Sequence, residues 1–193
     1  MKPRAIYKHF LQMLVQIKQD PLLFLILFVP FLIGFIFRYL LPILNHWIRE
    51  NTTLGAIFSP YYALLDVLLL LITPAMINYI AAMVILEEAD EKIISYFSVT
   101  PLKKSGYLIG RLVIPPILAL PITLLVFFLF RHTSFAWLAF LLLVFIGTAQ
   151  GLLAALMIVT LSSNKVEGLA IGKMASLLSL GLFVPYFVRP SVI

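Results

Sequence analysis

Five apolar runs leave this 193-residue chain few places to fold other than a bilayer. The first is PLLFLILFVPFLIGFIFRYLLPIL, residues 21–44. The others cover 61–86, 107–130, 135–161 and 168–188, the last broken by Lys173. A spanning helix needs roughly 20 such residues. Pro21 falls in a first helical turn, where its missing N–H is harmless. Pro30 and Pro74 are internal and predict kinks, and Pro115, Pro116 and Pro121 crowd the third run. The chain is 63% hydrophobic and 11% charged, with mean hydropathy +1.10. Soluble domains run near ~45–50% apolar and ~25% charged. The expectation is an all-α polytopic membrane protein, residues 1–193 forming a single transmembrane domain.

Positive charge sets the expected orientation. With the N-terminus inside, the inner segments hold Lys2, Arg4, Lys8, Lys18, Lys92, Lys103, Lys104, Arg111, Lys165 and Lys173. The outer ones hold Arg38, Arg49, Arg131 and Arg189, completing the 14 Lys and Arg. Excess Lys and Arg marks the cytoplasmic side, so a multi-pass protein of the plasma or inner membrane with a cytoplasmic N-terminus is expected. Residues 3–19 place Ile6, Phe10, Met13, Leu14 and Ile17 on one helical face. That pattern predicts an amphipathic helix in the cytoplasmic interface; a frayed basic tail is the plainer alternative.

Between the second and third runs lies one dense charged stretch, EEADEKIISYFSVTPLKK. Glu87, Glu88, Asp90 and Glu91 suit the first turn of a short helix, where the dipole is positive. Ile93, Ile94, Tyr96 and Phe97 add an apolar patch, and Thr100-Pro101 stops the helix. An apolar patch rimmed by charge marks a partner surface. Alternatively, the segment simply extends the second span onto the headgroups.

Within the spans, Arg38 and Asp66 sit at similar depth from one side and are expected to pair, since ionised groups in lipid are costly. Asn78 and Gln150 either line a pathway or hydrogen-bond neighbouring helices. Gly106/Gly110, Gly147/Gly151 and Gly168/Gly172 allow close helix approach. The chain carries no cysteine, no H-E-x-x-H, no G-x-S-x-G and no phosphate-binding G-x-x-x-x-G-K-[ST]. His9, His46 and His132 fall in three separate segments. Neither a catalytic centre nor a metal site is expected. The basic balance belongs to membrane topology rather than to nucleic acid.

An acidic cluster after the second span, a short helix, Thr-Pro, a basic pair and a new span together resemble the permease subunits of type-2 ABC exporters. Ser163-Asn164-Lys165-Val166-Glu167-Gly168 resembles that family's N-K-V-E-G stretch, and residues 3–19 resemble its interfacial elbow helix. The resemblance implies the type-2 exporter permease fold: six spans with both ends inside, so that a sixth helix would follow the five visible ones. It also implies that loop 87–101 is a coupling helix docking on a separate cytoplasmic ABC ATPase. Its contacts would be Glu87, Glu88, Asp90, Glu91, Ile93, Ile94, Tyr96, Phe97, Thr100 and Pro101, joined by Lys165 and Glu167. ATP and Mg would be bound by that ATPase and no cofactor by this chain. The permease would work beside a second permease, identical or not, and export an amphipathic or apolar drug, peptide or lipid-like molecule. The competing reading is an ATPase-independent secondary transporter or membrane scaffold. Those place coupling ionisable residues near the midplane, whereas Asp66 lies off-centre. Single cysteines at Asp90→Cys and Lys103→Cys should react with an impermeant maleimide from the cytoplasmic side only; reaction from the exterior alone would overturn the orientation.

Overall fold

The computed structural model describes residues 3–51, 58–93, 103–178 and 181. All regular structure among them is helical. The chain runs through α1 (Pro3–Gln19), α2 (Pro21–Phe35), a π-helical turn (Ile36–Leu40) and α3 (Leu41–Asn51). A 3-10 turn (Ser59–Tyr61) leads into α4 (Tyr62–Asp90). Then follow α5 (Lys103–Leu108), a second π turn (Ile109–Val113), α6 (Ile114–Phe130), α7 (Trp137–Leu161) and α8 (Lys165–Leu178).

Among the described residues, four continuous helical stretches are long and apolar enough to cross a membrane: Pro21–Asn51, Ser59–Asp90, Gly106–Phe130 and Trp137–Leu161, with mean hydropathies of 2.2 to 2.6. Each contains or nearly coincides with one of the first four expected runs. Of the fifth, 168–188, α8 covers the first part; residues 179–180 and 182–193 lie outside the described residues. So do Ile94, Tyr96, Phe97, Thr100 and Pro101 of the expected coupling segment. The helices continue through Pro30, Pro74 and Pro121.

α4 is the axis of the bundle. In its apolar window 78% of residues are buried, against 17%, 33% and 28% for the other three candidate spans. Helices α2, α6, α7 and α8 pack around it. The main core gathers Ile80–Val84 and Leu86 of α4 with Leu23, Ala155 and Ile158, and α1 adds Met13 and Ile17 from its apolar face. Leu14, expected on the same face, is exposed.

Two of the three small-residue pairs do their work against α4. A Cβ on Gly147 would stand 2.8 Å from the Leu70 carbonyl oxygen, and one on Gly151 would stand 2.9 Å from that of Pro74. Gly168 likewise lies on Met83 and Leu86, and Gly172 on the Tyr79 ring. Pro74 has no N–H to give the Leu70 carbonyl, and Gly147 is what covers that freed oxygen. The polar side chains of α4 close on their own helix: Thr73 Oγ1 donates to the Leu69 carbonyl (2.7 Å) and Asn78 Nδ2 to that of Pro74 (2.8 Å). Asn78 therefore satisfies its amide within α4, and the expected bond to a neighbouring helix is not what holds it. Gly151→Ala should destabilise the detergent-solubilised protein by about 1–3 kcal/mol through overpacking. Gly181→Ala, with nothing within 4 Å of the new Cβ, should leave thermal unfolding unchanged.

Candidate functional site: two polar knots and a groove

Glu87, Glu88 and Asp90 form the last turn of α4. The expectation that they open a separate helix is corrected: the second span simply continues through them. A helix C-terminus is the negative end of the dipole, and acids there are unfavourable unless cations answer them. Two cations do, and each brings other elements with it.

Glu88 turns inward and is 2% exposed. Its Oε2 accepts from Arg111 Nε (3.1 Å) and Tyr107 Oη (2.9 Å), and its Oε1 forms an ion pair with Arg111 Nη2. Gln16 of α1 closes the ring: its Nε2 donates to Glu88 Oε1 (3.1 Å), and its Oε1 accepts from Arg111 Nη2 (3.1 Å). Arg111 is wholly buried. One carboxylate thus ties α1, α4 and the second π turn together.

The second knot is partly exposed. Lys165 Nζ meets Asp20 Oδ2 at 2.5 Å and Glu87 Oε2 at 3.1 Å, while its backbone N–H donates to Asp90 Oδ2 (3.0 Å). Asp20 also caps α2, accepting from the N–H groups of Leu22 (2.8 Å) and Leu23 (3.2 Å). Burial opposes charge on Asp20, but Lys165 and those two N–H groups outweigh it and hold the carboxyl below its ordinary value. Burial likewise opposes charge on Lys165, and hydrogen bonds to Asp20 and Glu87 raise it nonetheless. Glu167 serves the start of α8: its Oε2 accepts from the Ser163 N–H (2.7 Å), and its own N–H donates to Asn164 Oδ1 (2.9 Å). This is a capping-box arrangement. Glu91 is exposed, and Lys92 turns the chain with φ 57°.

At the opposite end of α4, Asp66 is 1% exposed. It accepts from the N–H of His132 (3.1 Å to each oxygen) and from the N–H (2.7 Å) and Oγ1 (2.6 Å) of Thr133. The expected Arg38–Asp66 ion pair is not formed. Arg38 Nη1 donates instead to the Arg131 carbonyl (3.0 Å). Asp66 needs no cation because three donors from the α6–α7 connection already satisfy it.

Both buried-end arrangements lean on a π turn, and the two turns share a cause. In each, the N–H preceding a proline reaches back five residues, Leu41 to Ile36 and Ile114 to Ile109. The Phe37 carbonyl then lacks its usual donor, and the next candidate, Pro42, has no N–H. His132 supplies one: its Nε2 lies 2.7 Å from that carbonyl and must carry the proton, with its ring stacked on Tyr62. Arg38 and Arg111 each stand four residues before the proline concerned, Pro42 and Pro115.

Between the two ends, α4, α7 and α8 enclose a groove of about 670 Å³ with Ile33 of α2 on its edge. Its lining is mostly apolar and includes Tyr79, Gln150 and Ser176. Of the four polar residues expected inside the spans, Gln150 is the one that lines it.

The family model of the fluoroquinolones export permease protein Rv2686c-like family matches residues 13–192. The chain belongs to that family of export permeases. No curated protein and no solved structure matches it. Membership makes this a multi-pass membrane protein and a transport subunit, in keeping with its four candidate spans and with the resemblance to ABC exporter permeases.

Within the permease, the two knots bring together Glu87, Glu88, Asp90 and Lys165, all singled out in the sequence. They also recruit Gln16, Asp20, Tyr107 and Arg111, which were not. The available signal was R-x-x-x-P: an arginine inside a span, one turn before a proline that frees backbone groups.

Arg111→Met should cost about 3–5 kcal/mol, because it strands Glu88 as an unpaired buried charge, and the double variant Glu88→Leu/Arg111→Met should recover most of that loss. Thermal unfolding in lipid nanodiscs measures both. A carboxyl held below its ordinary value stabilises above that value and loses its effect as pH falls through the folded one. An amine raised above its ordinary value stabilises below it and loses its effect as pH climbs through the folded one. The Lys165–Asp20 contribution should therefore be complete between pH 3.8 and 10.5. Lys165→Met should lower the melting temperature at pH 7, and the difference should shrink toward both extremes.

Proposed function

We propose that this permease is the membrane-spanning subunit of an ATP-driven exporter, with its N-terminus in the cytoplasm and a separate ATPase beneath it. The ATPase would bind ATP and Mg; this chain would bind neither, but would provide the path for an amphipathic drug, of which the fluoroquinolones of the family's name are the model. A second permease would complete the path.

The observation that carries this reading is where the knots sit. Residues 94–102 begin four positions after Asp90 and end five positions before Tyr107. Both ends of that segment are thus anchored in hydrogen-bonded charge. Asp20, Gln16 and Lys165 connect the same anchor to α1, α2 and the start of α8. A force applied at 94–102 would move α1, α4, α6 and α8 as one body, which is how rigid-body transitions are transmitted. Tyr96 and Phe97 are the anchors offered to the ATPase, apolar side chains of the type that fill grooves in partner proteins. Glu88 contributes from inside, through Arg111, rather than by touching the ATPase.

Truncating Tyr96→Ala and Phe97→Ala together should reduce co-purification of the ATPase by at least about tenfold, a loss typical of hot-spot aromatics. The permease itself should unfold at the same temperature. Undiminished co-purification would overturn the docking assignment. Replacing the Walker lysine of the ATPase should stop transport; continued transport would favour an ATPase-independent carrier.

A further inference from the structure

We propose that the groove between α4, α7 and α8 is the drug-binding site of this permease, and that it takes a flat, aromatic molecule in its net-neutral form. This rests on the exporter reading above and assigns the residues that would hold the cargo. The volume, about 670 Å³, falls within the range of small-molecule sites, roughly 300–1,000 Å³. Its walls are soft and aromatic: Met76 and Tyr79 on α4, Phe145 and Met157 on α7. Thioethers and ring faces suit a planar π-system. Among the described residues the lining contains no Asp, Glu, Lys, Arg or His. A cargo with net charge would be left without a counter-ion at membrane depth, a cost that excludes it. Polar guidance comes from few groups. The Gln150 amide both donates and accepts, and Ser176 lines the same wall. Tyr79 rests its ring on Gly172, and its hydroxyl makes no hydrogen bond among the described residues. A cargo carbonyl or carboxyl would meet that hydroxyl. Phe145 and Leu153 on the rim are 71% and 62% exposed, so the groove opens sideways, toward lipid, where an apolar drug accumulates.

The chain has no cysteine, so a single introduced thiol reports on one place. The complete transporter, reconstituted in vesicles with its ATPase, is treated with a membrane-permeant maleimide after Ala149→Cys in the groove, or Leu138→Cys on the exposed flank of the same helix. Saturating norfloxacin, a fluoroquinolone, should slow labelling about tenfold at position 149, since such sites cover roughly 70–90% of a ligand, and should leave position 138 unaffected. Gln150→Ala should raise the norfloxacin concentration needed for half-protection about three- to tenfold, the equivalent of one lost hydrogen bond. Half-protection should also track the net-neutral fraction of norfloxacin as pH is varied. Unprotected labelling at 149 in vesicles that still export norfloxacin would overturn the groove and leave the exporter reading intact. Disulfide-linked dimers through position 149 would overturn it in favour of a second copy as occupant. Vesicles that export no fluoroquinolone would overturn the exporter reading itself. If the 149 variant does not fold, Phe145→Cys on the rim gives the same readout.

Discussion

Three carboxylates at the C-terminal end of α4 create the constraint from which much of this structure follows. The last turn of a helix already carries exposed carbonyls and a negative dipole. Adding Glu87, Glu88 and Asp90 there would be destabilising if the turn were left alone. Cations must come to it, and the two that do are far away in sequence. Arg111 arrives from within a span and is buried with Glu88; Lys165 arrives at the first turn of α8. Because each cation also binds α1 or its junction with α2, through Gln16 and Asp20 respectively, satisfying one helix end gathers most of the chain. A buried pair of this sort adds little net stability over apolar replacements. Its value lies in specifying one arrangement of the helices around it.

The other end of α4 solves a similar problem differently. Asp66 is as buried as Glu88, yet it is met by backbone N–H groups and one hydroxyl rather than by an arginine. Neutral donors satisfy it without importing a second charge. The arginine at that end, Arg38, is spent on a carbonyl of the same α6–α7 connection. Proline underlies both ends. Pro42 and Pro115 each remove an N–H, each is preceded by a π turn, and each stands one turn beyond an arginine. Such turns recur at functional sites because they free backbone groups for other partners, and His132 on the Phe37 carbonyl is such a partner.

Glycine sets the distance between these ends and the lipid-facing helices. Gly147 and Gly151 let α7 lie against the carbonyls of α4, and Gly172 accepts the ring of Tyr79. The apolar groove lies beside that close approach, lined by α4, α7 and α8. Two of the small-residue pairs, Gly147/Gly151 and Gly168/Gly172, are thus used within one chain, and their spacing alone did not indicate which helix they meet.

Much of the architecture was legible in the residues. Apolar runs of spanning length, the amphipathic pattern of 3–19 and prolines at helix starts locate the helices closely, because in lipid each helix must satisfy its own backbone and local composition decides it. Family likeness was legible too, in the order of charged loop, Thr-Pro and basic pair. Pairing of charges was not. Arg38 and Asp66 matched in depth and failed to meet, whereas Glu88 and Arg111 met across 23 positions. Depth along a span follows from counting residues at a fixed rise, but the rotation of each helix about its axis does not. That rotation depends on which glycine faces which carbonyl and which proline has shifted the register, and only the packed bundle decides it.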